Sequence, residues 1–124
     1  MMIYEGLGNY ALLILRLVLG IIFLYHGLPK LKGKMGGFMV IIGILEGLAG
    51  LAVMAGLYTE IAGSLLAVIM VGAIFKKVAQ WNIPFSSQGT TGWEFDLTLA
   101  AAAIALAFLG AGNLSVDSYL GYFP

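Results

Sequence analysis

Two ionisable side chains lie deep within long apolar stretches of this sequence. Arg16 lies in the run LILRLVLGIIFLYHGLPK, residues 13–30, and Glu46 lies in the run IIGILEGLAGLAVMAG, residues 41–56. In a membrane, an unpaired arginine near the bilayer centre costs at least about 2.5 kcal/mol. We therefore expect Arg16 and Glu46 to meet in the dry interior. There the pair would hold an apolar slot open or polarise a bound carbonyl group; alternatively, it would only fix helix register.

A second group of ionisable residues lies where two apolar stretches end. His26 and Lys30 close the first stretch, and Glu94 and Asp96 open the last one. At 100° per residue Glu94 shares a helix face with Thr98, whereas Asp96 lies about 200° away, so we expect Glu94 to face the interior. His26 and Glu94 are suited to proton transfer. A structural role for His26, and extension of Lys30 to the lipid headgroups, are the alternatives.

Composition identifies lipid as the surrounding solvent. Of the 124 residues, 61% are hydrophobic and only 10% are charged, whereas a soluble domain uses about 25% charged residues. Six basic and six acidic residues balance each other, which argues against a nucleic-acid partner.

The chain has no cysteine, so thiol catalysis and cysteine-ligated metal or iron–sulfur centres are excluded. One histidine with carboxylates is a poor metal site, and no metal is expected.

Four segments are long and apolar enough to cross a bilayer as helices, which takes about 20 residues each. They cover about residues 10–28, 37–57, 60–79 and 93–110. The segments show no polar–apolar alternation, and open sheet edges do not occur in the hydrocarbon region. The sequence therefore predicts an all-α fold. We expect a single domain over residues 1–124, built as an antiparallel, up-and-down bundle of four transmembrane helices.

The connections and one glycine stripe add detail to this bundle. Lysines gather at the first connection, PKLKGKMGG, and before the third, at Lys76 and Lys77. By the positive-inside rule these loops are cytoplasmic, with both termini outside, in the plasma membrane. Gly43, Gly47 and Gly50 lie on one face of the second helix, a pattern typical of close helix contact in lipid.

Three motifs, in this order, resemble the DoxX-like family of small membrane proteins. Residues 16–31, RLVLGIIFLYHGLPKL, resemble its first-helix signature, an arginine followed by a phenylalanine and then H-G-x-x-K. Residues 45–63, LEGLAGLAVMAGLYTEIAG, resemble its second segment, with a glutamate, glycines and a G-L-x-T turn. Residues 92–117, GWEFDLTLAAAAIALAFLGAGNLSVD, resemble its last segment, with an acidic helix start and G-x-G-x-x-S-x-D.

The resemblance implies a four-helix membrane bundle and a set of polar positions. We expect Ser115 and Asp117 to shape a turn after the last helix, with a role at the mouth of a ligand site as the alternative. The polar positions that the resemblance carries over are Arg16, His26, Lys30, Glu46, Glu94, Ser115 and Asp117.

The resemblance implies less about function than about fold. Some relatives resemble the large subunit of thiosulfate:quinone oxidoreductase, so the first hypothesis is the membrane subunit of a quinone-linked oxidoreductase. Its electrons would come from the substrate or from a partner membrane or peripheral redox subunit. The expected chemistry uses Arg16, Glu46, Glu94 and His26, and the expected quinone contacts are Arg16, His26, Lys30 and Glu46.

Two further hypotheses come from other classes of protein. The first is a non-catalytic binder or carrier of a small apolar ligand, with the arginine–glutamate layer as its polar anchor. The second is a structural membrane subunit whose glycine-rich faces bind another membrane protein or form a homo-oligomer. Membrane lipid is an expected partner in every case.

Overall fold

The chain folds into helices throughout the part that the structure describes. A computed structural model covers residues 5–34, 36–86 and 92–121, with side-chain surroundings from residue 7 onward, and no strand occurs within these ranges. The all-α prediction is thus confirmed, although the first helix begins earlier than expected. The elements are α1 (Glu5–Lys30), α2 (Gly37–Ala55), α3 (Thr59–Phe75), a π-helical turn (Lys76–Gln80), α4 (Trp93–Leu109) and α5 (Val116–Leu120).

The helices present apolar surface to their surroundings. In the described part of the chain, three are long and apolar enough to cross a membrane: α1, α2, and α3 together with its π-helical turn. Helix α4 has 17 residues, about 25 Å of helix, which is near the lower limit for crossing. Large apolar side chains such as Ile14, Val68 and Phe108 are exposed. Lipid tails solvate such a surface, whereas water would not.

Glycines set the contact between α1 and α2. A Cβ atom added at Gly27 would lie 2.9 Å from the carbonyl oxygen of Gly43, and one added at Gly50 would lie 2.9 Å from that of Gly20. Helices in lipid associate through such close backbone approach. The predicted contact face is thus confirmed at Gly43 and Gly50, whereas a Cβ at Gly47 would make an ordinary contact, 3.8 Å from Leu24.

Small residues likewise bring α3 and α4 together. A Cβ atom added at Gly63 would lie 3.0 Å from the carbonyl oxygen of Ala103 and 3.3 Å from the backbone nitrogen of Ala107. Leu66 and Leu106 are fully buried at the same contact. The fold therefore contains two closely packed helix pairs, α1 with α2 and α3 with α4.

The segment after α4 folds back over one end of the bundle. Asp117 accepts hydrogen bonds from the backbone N–H groups of Tyr58 (2.6 Å) and Thr59 (3.0 Å). Its own N–H donates to the carbonyl of Gly56 at 2.8 Å. A carboxylate is favourable at a helix N-terminus, where N–H groups lack intrahelical partners. Asp117 therefore caps α3 from a distant part of the chain.

Arg16 connects α1 to the same segment. Its side chain is fully buried, and Nη2 donates to the carbonyl oxygen of Leu114 at 2.5 Å. The Asp117 carboxylate lies in the same segment and favours the guanidinium charge electrostatically, without a direct ion pair between the two side chains. A Cβ atom at Gly56 would overlap Nη1, so glycine is needed there for space and for its φ of 74°. We call Arg16, Gly56, Leu114 and Asp117 the C-terminal clasp.

Replacing Gly27 by alanine is expected to destabilise the fold by about 1–3 kcal/mol, because the new methyl group would force α1 away from α2. Gly8→Ala is the matched control in the same helix, since nothing lies within 4 Å of its Cβ position. Circular dichroism during SDS titration measures both variants. Equal stability of the two would contradict a glycine-determined contact.

Removal of the clasp carboxylate by Asp117→Ala is expected to cost about 3 kcal/mol of stability. Two backbone N–H groups lose their acceptor, and Arg16 remains buried without its counter-charge. Glu60→Ala removes an exposed carboxylate from the first turn of α3 and is expected to cost under about 1 kcal/mol. Similar losses in both variants, measured in the same titration, would show that the clasp contributes little.

Candidate functional site

A cavity of about 650 Å³ lies at the end of the bundle away from the C-terminal clasp. Small-molecule sites are typically about 300–1,000 Å³, mostly apolar, with a few polar groups that orient the ligand. This cavity fits that description in its volume and in its lining. All four long helices and the π-helical turn contribute residues to it. Its apolar walls include Phe23, Ile42, Ile69, Met70, Phe95 and Leu99, and its ionisable lining residues are His26, Lys30, Glu46, Lys76, Lys77 and Asp96.

A buried ion pair between Lys30 and Glu46 joins α1 to α2 at the cavity wall. Lys30 Nζ donates to Glu46 Oε1, and the glutamate is fully buried while the lysine side chain is 18% exposed. Glycine at position 43 leaves room for the lysine stem, since a Cβ there would lie 2.8 Å from Lys30 Cβ. The second carboxylate oxygen, Glu46 Oε2, has no hydrogen-bond partner among the described residues. It is therefore free to accept from a ligand.

A second ion pair joins the π-helical turn to α4. Lys77 Nζ lies 2.7 Å from Asp96 Oδ2, and both side chains are mostly buried. Single π-helical turns occur frequently at functional sites, where the wider turn redirects side chains. Lys76 and Lys77, the first residues of this turn, both line the cavity.

His26 lies against aromatic rings beside the cavity. Its ring centroid is 5.3 Å from that of Phe95 and 5.5 Å from that of Tyr25. Phe95 and His26 both line the cavity, so the imidazole is within reach of a bound molecule. In the described ranges no group of three or more His, Cys, Asp or Glu residues could hold a metal ion.

The most exposed residues of the cavity lining lie on α2 and α3, and Gln80 and Trp81, which follow α3, are exposed as well. Phe38 of α2, and Val68 and Phe75 of α3, line the cavity and are also more than 60% exposed. The lining residues from α1 and α4, by contrast, are buried or half-buried. Lys76 Nζ lies 5.6 Å from the centroid of the Phe38 ring. We call the exposed side of the cavity at Phe38, Val68, Phe75 and Lys76 the α2–α3 portal.

The predicted Arg16–Glu46 pair does not form. Glu46 pairs with Lys30, and Arg16 belongs to the clasp at the other end. A Cβ atom added at Gly27 would lie 3.3 Å from the Cβ atom of Glu46, so Glu46 packs beside Gly27. Gly27 follows Arg16 by about 16 Å of helix, at 1.5 Å per residue. The glycine contacts thus place the two charges at different depths, although each residue is buried as expected.

The prediction that Glu94 faces the interior is also wrong. Asp96 is the buried acidic residue of α4 and lines the cavity, whereas Glu94 is only half-buried and is not among the lining residues. Thr98, on the Glu94 face, is exposed and donates through Oγ1 to the Glu94 carbonyl at 2.9 Å. Asp96 shares its face with the buried Leu99 and Ala103, but the other faces of α4 are also apolar, so the sequence held no clear signal for this choice.

The turn-shaping role expected of Ser115 and Asp117 is confirmed. Ser115 is the N-cap of α5, where its Oγ accepts from the N–H of Ser118 at 3.1 Å and donates to the carbonyl of Gly112 at 2.7 Å. Of the residues expected to contact a ligand, His26, Lys30 and Glu46 line the cavity. Lys77 is a cavity residue that the sequence interpretation did not include.

Comparison with known proteins identifies the family. The sequence pattern of the DoxX family matches residues 11–77, more than half of the chain. The chain is also similar to a Bacillus subtilis (strain 168) protein named "Putative oxidoreductase CatD", with 34% identity over 120 residues, covering 87% of this chain and 85% of that protein. No solved structure matches the chain. With this coverage, the chain belongs to the DoxX family of membrane proteins.

Proposed function

We propose that this chain is the membrane-embedded subunit of a quinone-linked oxidoreductase and binds a quinone in the cavity. The observation that carries the proposal is Glu46, a fully buried carboxylate with one oxygen free, in a largely apolar cavity that opens between two membrane-facing helices. The name of the similar B. subtilis protein supports the reaction class. The largely apolar lining of the cavity supports a lipid-soluble quinone as the ligand.

The α2–α3 portal suits a ligand that arrives from the membrane. A lipid-soluble quinone would enter past the exposed rings of Phe38 and Phe75. Its ring would pack between Phe23 and Phe95, and its apolar tail would remain in the portal. Aromatic walls of this kind favour offset or edge-to-face ring contacts.

The polar residues of the cavity then handle the oxygen atoms and protons. Quinone reduction takes up two electrons and two protons. Lys30 Nζ would donate to a quinone oxygen, and Glu46 Oε2 would accept from the hydroxyl group that forms. His26 and the Lys77–Asp96 pair would pass protons from the end of the bundle to the cavity. The electrons would come from a reduced substrate or from a partner redox subunit.

We also propose how the bundle is oriented. All the lysines of the chain, Lys30, Lys32, Lys34, Lys76 and Lys77, lie at the cavity end of the helices. The positive-inside rule assigns such an end to the cytoplasm. The chain would then form an antiparallel, up-and-down bundle in the plasma membrane, with the C-terminal clasp on the outer side.

Purification in mild detergent is expected to yield the protein with bound quinone, and filling the cavity should remove it. Ala73 lines the cavity, so Ala73→Phe is expected to lower the quinone content at least about tenfold through steric exclusion. Ala101→Phe adds the same ring to an exposed position of α4 and should leave the content unchanged. Solvent extraction and chromatography measure the quinone.

The same extraction can contradict the proposal. Absence of quinone from the wild-type protein, with another apolar molecule in its place, would favour a carrier of small apolar ligands. Equal quinone content in both variants would show that the quinone binds outside the cavity.

A cross-link across the α2–α3 portal is expected to trap the ligand. The chain has no natural cysteine, so Phe38→Cys with Lys76→Cys gives two unique thiols at the portal rim. A reducible bis-thiol cross-linker between them should slow exchange of bound quinone with labelled quinone at least about tenfold, because the entry path is closed. Cleaving the linker in the same sample is the control. Unchanged exchange would mean that the ligand enters elsewhere.

A further inference from the structure

We infer that the cavity selects ligands that carry a free hydroxyl group, which donates a hydrogen bond to Glu46 Oε2 and accepts one from Lys30 Nζ. Resting on the function proposed above, this states which form of the ligand binds more tightly, namely the form with a hydroxyl group on its ring. A quinol, or a simple alkylphenol, has the required group. A quinone, the oxidised form of that quinol, has only acceptors, and so has an aryl ether; the cavity would therefore hold the quinol more tightly than the quinone.

The first basis is the free oxygen of Glu46. The side chain is fully buried, Oε1 is occupied by Lys30, and Oε2 has no partner in the described ranges. Leaving a buried charged acceptor without a donor is unfavourable. Because Glu46 lines the cavity, a bound molecule is the group in position to supply that donor.

The second basis is the ammonium group beside it. A lysine ammonium carries three N–H donors. One bonds to Glu46 Oε1, and Lys30 Nζ makes no other hydrogen bond within the described part of the chain. A donor and an acceptor therefore lie side by side at one wall of the cavity. A hydroxyl group on a neutral ligand satisfies both at once through a single oxygen atom.

Other ligand head groups match this wall less well. A ligand carboxylate would be repelled by the negative charge of Glu46, and an alkylammonium group would be repelled by the positive charge of Lys30. A carbonyl or ether oxygen would accept from Lys30 but leave Oε2 unpaired. Sites with a buried polar group discriminate strongly against analogues that leave it unpaired. The apolar walls at Phe23 and Phe95 favour an apolar or aromatic body behind the hydroxyl group.

The test compares 4-heptylphenol with 4-heptylanisole, which differ by one methyl group on the oxygen. The full chain in lipid nanodiscs is titrated with each compound by calorimetry. We expect the phenol to bind roughly 10- to 100-fold more tightly, the value of a hydrogen bond to a charged group. Glu46→Gln should reduce the ratio of phenol affinity to anisole affinity to about one or invert it. The amide oxygen would still accept the hydrogen bond from Lys30, and the NH₂ group would present a donor to the ligand in place of an acceptor.

Glu60→Gln is the matched control, because it makes the same chemical change at an exposed position of α3 and should preserve the wild-type ratio. Equal binding of the two compounds by the wild-type protein, or an unchanged ratio in Glu46→Gln, overturns the inference. The wild-type comparison decides even where the Glu46 variant does not fold.

The outcomes for this inference and for the proposed function are distinct. Preference for the phenol without any bound quinone upholds the hydroxyl site and contradicts the quinone-linked function. Bound quinone with no preference between phenol and anisole upholds the quinone-linked function and contradicts the hydroxyl site. Binding of neither compound to the wild-type protein overturns the hydroxyl site.

Discussion

The scarcity of water within a membrane protein is the constraint on which this structure depends, because every buried charge must find its partner on another element of the chain. At one end of the bundle, Arg16 donates a hydrogen bond to the Leu114 carbonyl, and the Asp117 carboxylate favours its charge electrostatically. Glu46 finds Lys30 at the other end. Since each partnership joins different helices, the charges also fix how those helices are arranged. Breaking such a pair leaves an uncompensated buried charge, which is strongly destabilising.

Close packing within two helix pairs explains why a cavity exists between them. Glycines bring α1 onto α2, and Gly63 brings α3 onto α4. The α2–α3 connection is short and is held by the C-terminal clasp, whereas the other ends of α2 and α3 carry Phe38 and Phe75 at the rim of the cavity. The clasp thus fixes one end of the bundle while a lipid-facing opening lies at the other. That opening is where a membrane-soluble ligand could reach the polar groups.

The helices and the glycine contacts were predictable from sequence, because long apolar segments and regularly spaced glycines are strong local signals. The pairing of charges was not. Depth measured from the ends of predicted spans placed Arg16 near Glu46, but the contacts of Gly27 with Gly43 set a register that separates them. The choice between Glu94 and Asp96 failed for a different reason. Helix α4 is apolar on nearly all sides, so its periodicity gives little indication of which face is buried.

Both proposals require that Lys30 and Glu46, at the cavity wall, contact a bound ligand. The most direct measurement is an experimental structure of the protein in nanodiscs formed from its native membrane, without detergent. We expect ring-shaped density between Phe23 and Phe95, with an oxygen atom within hydrogen-bond distance of Glu46 Oε2. A closed space with α2 packed directly against α3, or a Glu46 carboxylate whose two oxygens are both bonded to protein groups, would contradict it.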